Sequence, residues 1–306
     1  MTAGEETLAA GPTLVSAFTG HRSHLIGVAY RLTGSVADAE DAVQEAWLRL
    51  AGLTDEARAG IRDLRGWLTT VVGRICLDRL RSAAVRRERY VGQWLPEPLV
   101  TSDEDDPLHA VVRDDGVRMA ALVVLDRLTP EQRVAFVLHD AFDLPFAEIA
   151  EALGCTVATA RQHASRGRRA AAVAEPPPRV ALEEQREVLE RFVRALASGD
   201  VDAVIGVLHP DVVLVGDAGG KARTAINVVS GREKVARFAL GLLRKYGGMP
   251  SGAITLVNGD LGLVLPDQGD LTRRVSTFVV RDGAVAAMYD FANPDKLGHV
   301  PFPDHG

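Results

Sequence analysis

The stretch Leu144–Arg169, LPFAEIAEALGCTVATARQHASRGRR, constrains this chain more than any other. Phe146, Ile149, Ala150 and Leu153 keep the i, i+3, i+4, i+7 spacing of an apolar helix face. Gly154 stands where a left-handed C-cap falls, and Thr156 offers an N-cap oxygen to a second helix. Val157, Ala160, Ala164 and Gly167 line one side of that helix and are small enough to let it sit close to the first. The other faces carry Arg161, Gln162, His163, Ser165, Arg166, Arg168 and Arg169. Two short helices joined by a glycine turn, the second basic, describe a helix-turn-helix whose second helix enters a major groove. Arginine and glutamine there suit bidentate contacts to base edges, and serine adds a further one. On an ordinary bundle the same helix is only a basic surface.

Charge and cysteines narrow the choices. The 306 residues suit two or three domains, and a hydrophobic content of 47% is ample for real cores. The formal net charge of -6 is acidic for a nucleic-acid-binding chain. Its distribution is uneven: arginines crowd Arg74–Arg89 and Arg161–Arg169, and acids crowd Asp103–Asp106. Basic patches in an acidic total predict weak DNA binding by the chain alone, with a partner needed to hold it there. The two cysteines, Cys76 and Cys155, have no metal or disulfide spacing and read as buried free thiols in a reducing compartment. The N-terminus has no signal-peptide pattern and no apolar run reaches a membrane span, so a cytoplasmic location is expected. No metal site and no cofactor is expected.

Upstream, Leu14, Phe18, Leu25, Val28 and Leu32 keep a helical period that Gly34 ends. Ser35 opens a second helix, with Asp38 three residues on, close to a capping box. Ala39, Ala42, Val43, Ala46, Trp47 and Leu50 form its buried stripe. Asp38, Asp41, Gln44, Glu45 and Leu48 form another face, either solvated or a docking site for a basic partner. A third helix runs from about Asp63 into the eighties, burying Leu64, Leu68, Val71, Val72 and Ile75. Its later part is basic, and Arg74, Arg79, Arg81, Arg86, Arg87 and Arg89 can follow a phosphate backbone. Trp67 is either core or a stacking platform for an unpaired base. Periodicity then stops: WLPEPLVTSDEDDP reads as an acidic, Pro-rich tether, although Trp94, Leu95 and Leu99 need apolar cover. Helices resume near Val117, and Leu128-Thr129-Pro130-Glu131-Gln132 is a helix start.

Two small helical domains with a basic element in each, joined by an acidic tether, resemble the bacterial sigma factors of the extracytoplasmic-function type. The resemblance covers roughly Phe18 to Arg169. It rests on AYRLTGSVADAEDAVQEAWLRL, RGWLTTVVGRICLDRLR, LDRLTPEQRVAFVLHD and FAEIAEALGCTVATARQHASRGRR. It implies that Asp38, Asp41, Gln44, Glu45 and Leu48 grip core RNA polymerase. It further implies that the helix with Trp67, Arg74, Asp78, Arg79 and Arg81 reads and opens the −10 promoter element. The helix with Arg161, Gln162, His163, Ser165, Arg166, Arg168 and Arg169 then reads the −35 element. The chain departs from the family at Arg74, where many members carry asparagine, and at the unusual Gly73.

A Pro-rich linker follows, and then a third domain. Leu182, Leu189, Phe192, Val193 and Leu196 mark one helix, Val201, Val204, Ile205 and Leu208 a shorter one, and SGREKVARFALGLLRKYGG another. DVVLVGD alternates like a strand, and strands are expected near Ala253–Val257, Leu261–Leu265, Arg274–Val280 and Val285–Phe291. Asn258-Gly259, Gly269-Asp270 and Asp282-Gly283 are turn pairs. Helices followed by an antiparallel meander read as α+β, and this order resembles the SnoaL-like cone related to nuclear transport factor 2. WLPEP at Trp94–Pro98, DAGGK at Asp217–Lys221 and NPDKL at Asn293–Leu297 resemble signatures of the sigma-factor subgroup with this extension. His209, Asp211, Asp217 and Asp290 can supply acid–base groups, or are turn residues and N-caps.

The expected fold is therefore multidomain: two all-α sigma domains, a sigma2 bundle at 10–90 and a sigma4 helix-turn-helix at 117–173, then an α+β SnoaL-like cone at 181–306. Linkers at 91–116 and 174–180 join them. The expected function is that of an alternative sigma factor and not an enzyme, with core RNA polymerase and promoter DNA as partners, no membrane, and no separate anti-sigma factor evident. A SnoaL-type enzyme or ligand sensor fused to a DNA-binding regulator is the alternative. The regulatory contact is expected at Trp94, Leu95, Pro96, Asp217, Gly219, Gly220, Lys221, Asn293, Pro294, Asp295, Lys296 and Leu297, with the third domain folding back onto the sigma half.

Overall fold

The computed structural model describes residues 12–87, 89–100, 117–173, 178–248 and 251–302; the acidic run Asp103–Asp106 lies outside them. The described residues divide into two compact units. One comprises 12–85 and 124–173, and the other 86–87, 89–100, 117–123, 178–248 and 251–302.

In the first unit, α1 (Pro12–Thr33) and α2 (Val36–Ala51) pack through Leu25, Val28, Ala29 and Leu32 against Ala39, Ala42, Val43 and Leu50, all buried. Gly34, at φ 69°, makes the turn between them, and the Ser35 side chain accepts from Asp38 N. A short α3 (Asp55–Ala59), not expected from the sequence, precedes α4 (Leu64–Arg87). The second half of this unit holds the end of α5 (Met119–Leu125), α6 (Pro130–Asp140), α7 (Phe146–Leu153) and α8 (Val157–Val173). The start of α6 carries the full reciprocal capping box of Thr129 and Gln132 with Pro130 at the first position. Gly154 is left-handed at φ 65°, and Thr159 N donates to the Thr156 hydroxyl.

Three expectations change here. The small stripe of α8 brings Gly167 against α6, where a Cβ would lie 2.9 Å from both the Gln132 carbonyl and Phe136 Cβ, rather than serving only the contact with α7. Val157, in the first turn, is 40% exposed, because the stripe turns inward only from Ala160. Cys155 is half-exposed rather than buried, since it falls in the turn outside both helices; Cys76 is buried, and burial pushes its thiol up to about 12.

In the second unit, α9 (Leu182–Ser198), α10 (Val201–Val207) and α11 (Arg232–Lys245) pack with a six-stranded sheet ordered β2-β1-β6-β5-β4-β3. The strands are β1 (Leu208–Asp217), β2 (Val229–Ser230), β3 (Ala253–Val257), β4 (Asp260–Leu265), β5 (Arg274–Arg281) and β6 (Ala284–Phe291). The meander β3 to β6 is antiparallel as expected, with Asn258-Gly259 and Asp282-Gly283 at positive φ. The sheet is nevertheless mixed, because β1 pairs parallel to β6. Alternation reports which residues share a face and carries no information on partner direction. Helices and a sheet packed in this order make the α+β domain expected from the sequence. One face of the sheet buries Phe192, Leu214, Val235, Phe278 and Met288 under the helices. Leu95, Val100, Met119 and Ala120 join Val257, Val275, Tyr289, Phe291 and Leu297 in a separate core cluster. No helix among the described residues is long and apolar enough to cross a membrane.

Candidate nucleic-acid interface and tether anchor

On α8, Arg161, Gln162, Ser165, Arg166, Arg168 and Arg169 are exposed together, away from buried Ala160, Ala164 and Gly167. Arg161 lies over the Phe146 ring at 5.5 Å, and that ring stacks on His139 with centroids 4.0 Å apart. Arg168 gives Nε and Nη2 to Asp140 at 2.8 and 2.5 Å, so α6 already holds that guanidinium. His163, expected beside the arginines, sits instead at the margin of the stripe, half-buried with its Nδ1 enclosed and without a hydrogen-bond partner among the described residues. Its position next to Ala164 explains why.

On α4, Arg74 and Asp78 are exposed and Trp67 is half-buried. Arg79 Nη1 lies 3.0 Å from Asp38 and 3.6 Å from Asp41. Arg81 gives Nε and Nη2 to Glu131 at 3.1 and 2.9 Å. Burial opposes ionisation of Glu131, but the amide at its own helix start and the Arg81 hydrogen bond outweigh it and hold its carboxyl below the usual range. On α2, Asp41, Gln44 and Leu48 project together at helical spacing, with Leu48 61% exposed, while Glu45 pairs with Arg49 at 2.6 Å.

The two halves of this unit are locked together by groups that spacing alone did not single out. Arg133 on α6 is 1% exposed. It donates from Nε and Nη2 to the Arg31 carbonyl at 3.3 and 3.1 Å, and from Nη1 to Asp126 at 3.1 Å. The Arg31 carbonyl belongs to the last turn of α1, where backbone acceptors lack partners within the helix. An arginine one turn before buried Val137 was the available signal. His24 bridges Thr69 at 3.0 Å and Arg65 at 3.1 Å and meets the edge of Phe142. Gly73 lies against α6: a Cβ there would lie 2.8 Å from Leu138 Cδ1.

In the second unit the three short segments meet. Asp217 ends β1 with 0% exposure. Its carboxylate accepts from Leu95 N at 2.8 Å, from Lys296 Nζ at 2.6 Å and from the Tyr90 hydroxyl. Lys296 also donates to the Leu95 carbonyl and lies 4.0 Å over the Trp94 ring. Asn293 donates to the Tyr90 oxygen at 2.8 Å and caps the 3-10 turn Pro294–Lys296, and Leu297 is buried behind it. Burial first, and then the bond to Asp217, raises the Tyr90 pKa above its usual value. Gly219 is left-handed at φ 56°, and a Cβ would lie 2.6 Å from Asn293 Nδ2, which explains a glycine there. Gly220 lies beside Val91, Lys221 pairs with Asp295 at the surface, and Pro96 is buried. Further along, Asn258 accepts from Leu99 N at 2.9 Å and donates to the Val117 carbonyl at 2.8 Å, and Arg118 pairs with Asp260 at 2.8 Å. Tyr90, Asn258 and Asp260 were not anticipated; turn chemistry at Asn258-Gly259 gave no hint of a partner so distant in sequence.

Of the acid–base candidates, only Asp290 lines the cavity of about 70 Å³ among Phe192, Phe238, Phe278 and Met288. Its oxygens accept from Ser276 at 3.0 Å, Thr224 at 2.5 Å and Arg274 at 3.0 Å. His209 is held by Arg281 at 2.9 Å outside that cavity.

Residues 17–86 match the Sigma-70 region 2 family and residues 118–170 match Sigma-70, region 4. The chain is 52% identical over 305 residues to the ECF RNA polymerase sigma factor SigJ of Mycobacterium tuberculosis, covering 95% of each. It is 40% identical over 200 residues to the probable ECF RNA polymerase sigma factor SigI of the same species, covering 64% of this chain and 67% of that one. The crystal structure of SigJ superposes with a TM-score of 0.78 at 49% identity, covering 94% of this chain and 100% of that one.

Proposed function

Because the chain belongs to the extracytoplasmic-function sigma factors of RNA polymerase, we propose that α8 reads the −35 element, that α4 handles the −10 element and that the Asp41–Leu48 face of α2 docks on core polymerase. We further propose that the C-terminal domain regulates promoter binding in cis. The observation that carries the regulatory reading is the capture of the tether by the third domain, through Asp217 and Lys296 on Tyr90, Trp94 and Leu95.

Distances support the need for regulation. The α4 helix touches α6 at Gly73, and α6 packs on α8. Two helix-packing distances put α4 and α8 about 20 Å apart. Promoter elements centred near −10 and −35 are about 85 Å apart along B-form DNA at 3.4 Å per base pair. The closed unit therefore reads one element at a time, and use of a whole promoter requires its halves to separate. A tether held on the third domain limits that separation.

The docking assignment is tested by charge reversal. Asp41→Lys with Glu45→Lys should abolish capture by core polymerase while circular dichroism stays unchanged. Undiminished capture would return this face to ordinary solvation.

A further inference from the structure

The arginine shared by two carboxylates on the polymerase-facing helix carries a consequence for DNA binding. Arg74 and Arg79 both stand on the basic part of α4, yet their surroundings differ. Arg74 is exposed and makes no ion pair among the described residues. Arg79 is drawn off the helix toward α2, with one guanidinium nitrogen 3.0 Å from Asp38 and 3.6 Å from Asp41. Both carboxylates draw on the same nitrogen, Nη1, so a phosphate that approaches this guanidinium competes with them for its charge. Asp41 is also the most exposed of the three groups, at 65%, so an incoming cation can reach it.

We infer that Arg79 couples polymerase docking to DNA capture, because both ligands compete for the same ion pairs. This rests on the proposed docking face. A cationic group of polymerase that binds Asp41 weakens that carboxylate's hold on Arg79, and the released guanidinium becomes available to a phosphate. The linkage is reciprocal: a phosphate that takes Arg79 frees Asp38 and Asp41 for polymerase, and each ligand strengthens the other by the same factor. Exposed ion pairs are worth about 0.2–1 kcal/mol, so the coupling is about 1.4- to 5-fold.

The mechanism needs no movement of α4 or α2, only exchange of side-chain partners. It also accounts for how a chain of net charge -6 can hold a basic helix in reserve until its partner is bound. Removing the two carboxylates mimics the polymerase-bound state and should raise DNA affinity of the free chain, but only while Arg79 is present.

The test is a double-mutant cycle on the full chain, with a fluorescein-labelled oligothymidylate strand read by anisotropy at low salt. Asp38→Asn with Asp41→Asn should tighten binding about 1.4- to 5-fold. The same pair in an Arg79→Met background should give no gain, and in an Arg74→Ala background it should give the full gain. An equal gain with and without Arg79 would mean a mere change in net charge and would overturn the proposal, as would no gain in any background. Capture by core polymerase is measured on the same variants. Loss of the coupling with capture still weakened by Asp41→Asn refutes Arg79 alone; unchanged capture with the cycle intact refutes the docking face alone.

Discussion

Gly73 offers the sharpest test of the closed sigma unit. A Cβ at this position would lie 2.8 Å from Leu138 Cδ1 and 3.7 Å from Leu138 Cδ2, and Leu138 is fully buried. Gly73→Ala adds one atom against the end of a leucine, which can give way slightly. Gly73→Leu adds a whole side chain with no space to enter, and such overpacking costs about 1–3 kcal/mol. Replacing glycine inside a helix also gains nearly 1 kcal/mol of propensity. That gain applies equally to open and closed forms, so it offsets lost thermal stability without restoring closure. The ratio of closed to open chains should therefore fall by about 5- to 150-fold while the melting temperature moves little. Small-angle scattering of the full chain reads the change as a larger radius of gyration for Gly73→Leu, with Gly73→Ala close to wild type. Unchanged scattering from Gly73→Leu, with helix content retained, would refute the closed packing of α4 on α6.

Acid should loosen the same unit. Burial first, then Arg65, His21 and Arg31, lowers His24 from 6.5 to about 4, so the unfolded chain takes up this proton before the folded one does. Its stabilisation is complete above pH 6.5 and is lost as pH falls toward 4; the melting temperature of wild type should fall more steeply across that window than that of His24→Gln, and parallel curves would refute the assignment. Arg133→Met leaves the Arg31 carbonyl and Asp126 without their buried donor, at a cost of about 2–4 kcal/mol, measured by urea unfolding; a loss below about 1 kcal/mol would mean the arginine is dispensable. On the −35 side, Arg166→Ala should cost on the order of 1–3 kcal/mol and relax discrimination at one base position, and uniform weakening across promoter variants would assign Arg166 to phosphate instead.

Local signals made much of this architecture legible. Gly154 and Thr156 set the turn of the helix-turn-helix, Thr129, Pro130 and Gln132 wrote the start of α6, and Asn258-Gly259 and Asp282-Gly283 placed two hairpins, because caps and turns are decided within a few residues. The apolar residues of the tether were legible as a need for cover. What covers them was not, since Tyr90 and Asp217 are brought together only by the finished sheet. The same limit applies to the basic residues. Arg79, Arg81 and Arg168 stand where a DNA-facing arginine would be read, and only the fold reveals the carboxylates Asp38, Glu131 and Asp140 that hold them. His163 and Val157 missed their expected faces by one step of the helix, which periodicity resolves poorly at the edge of a stripe.

Regulation through the captured tether is tested most directly by transcription from a cognate promoter with saturating core polymerase, comparing wild type with Tyr90→Phe combined with Trp94→Ala. These changes remove the hydroxyl held by Asp217 and the ring beneath Lys296 while leaving the buried ion pair of Asp217 and Lys296 in place. More run-off transcript from the variant is the predicted result; transcript equal to or below wild type, with core binding intact, would contradict control through the tether.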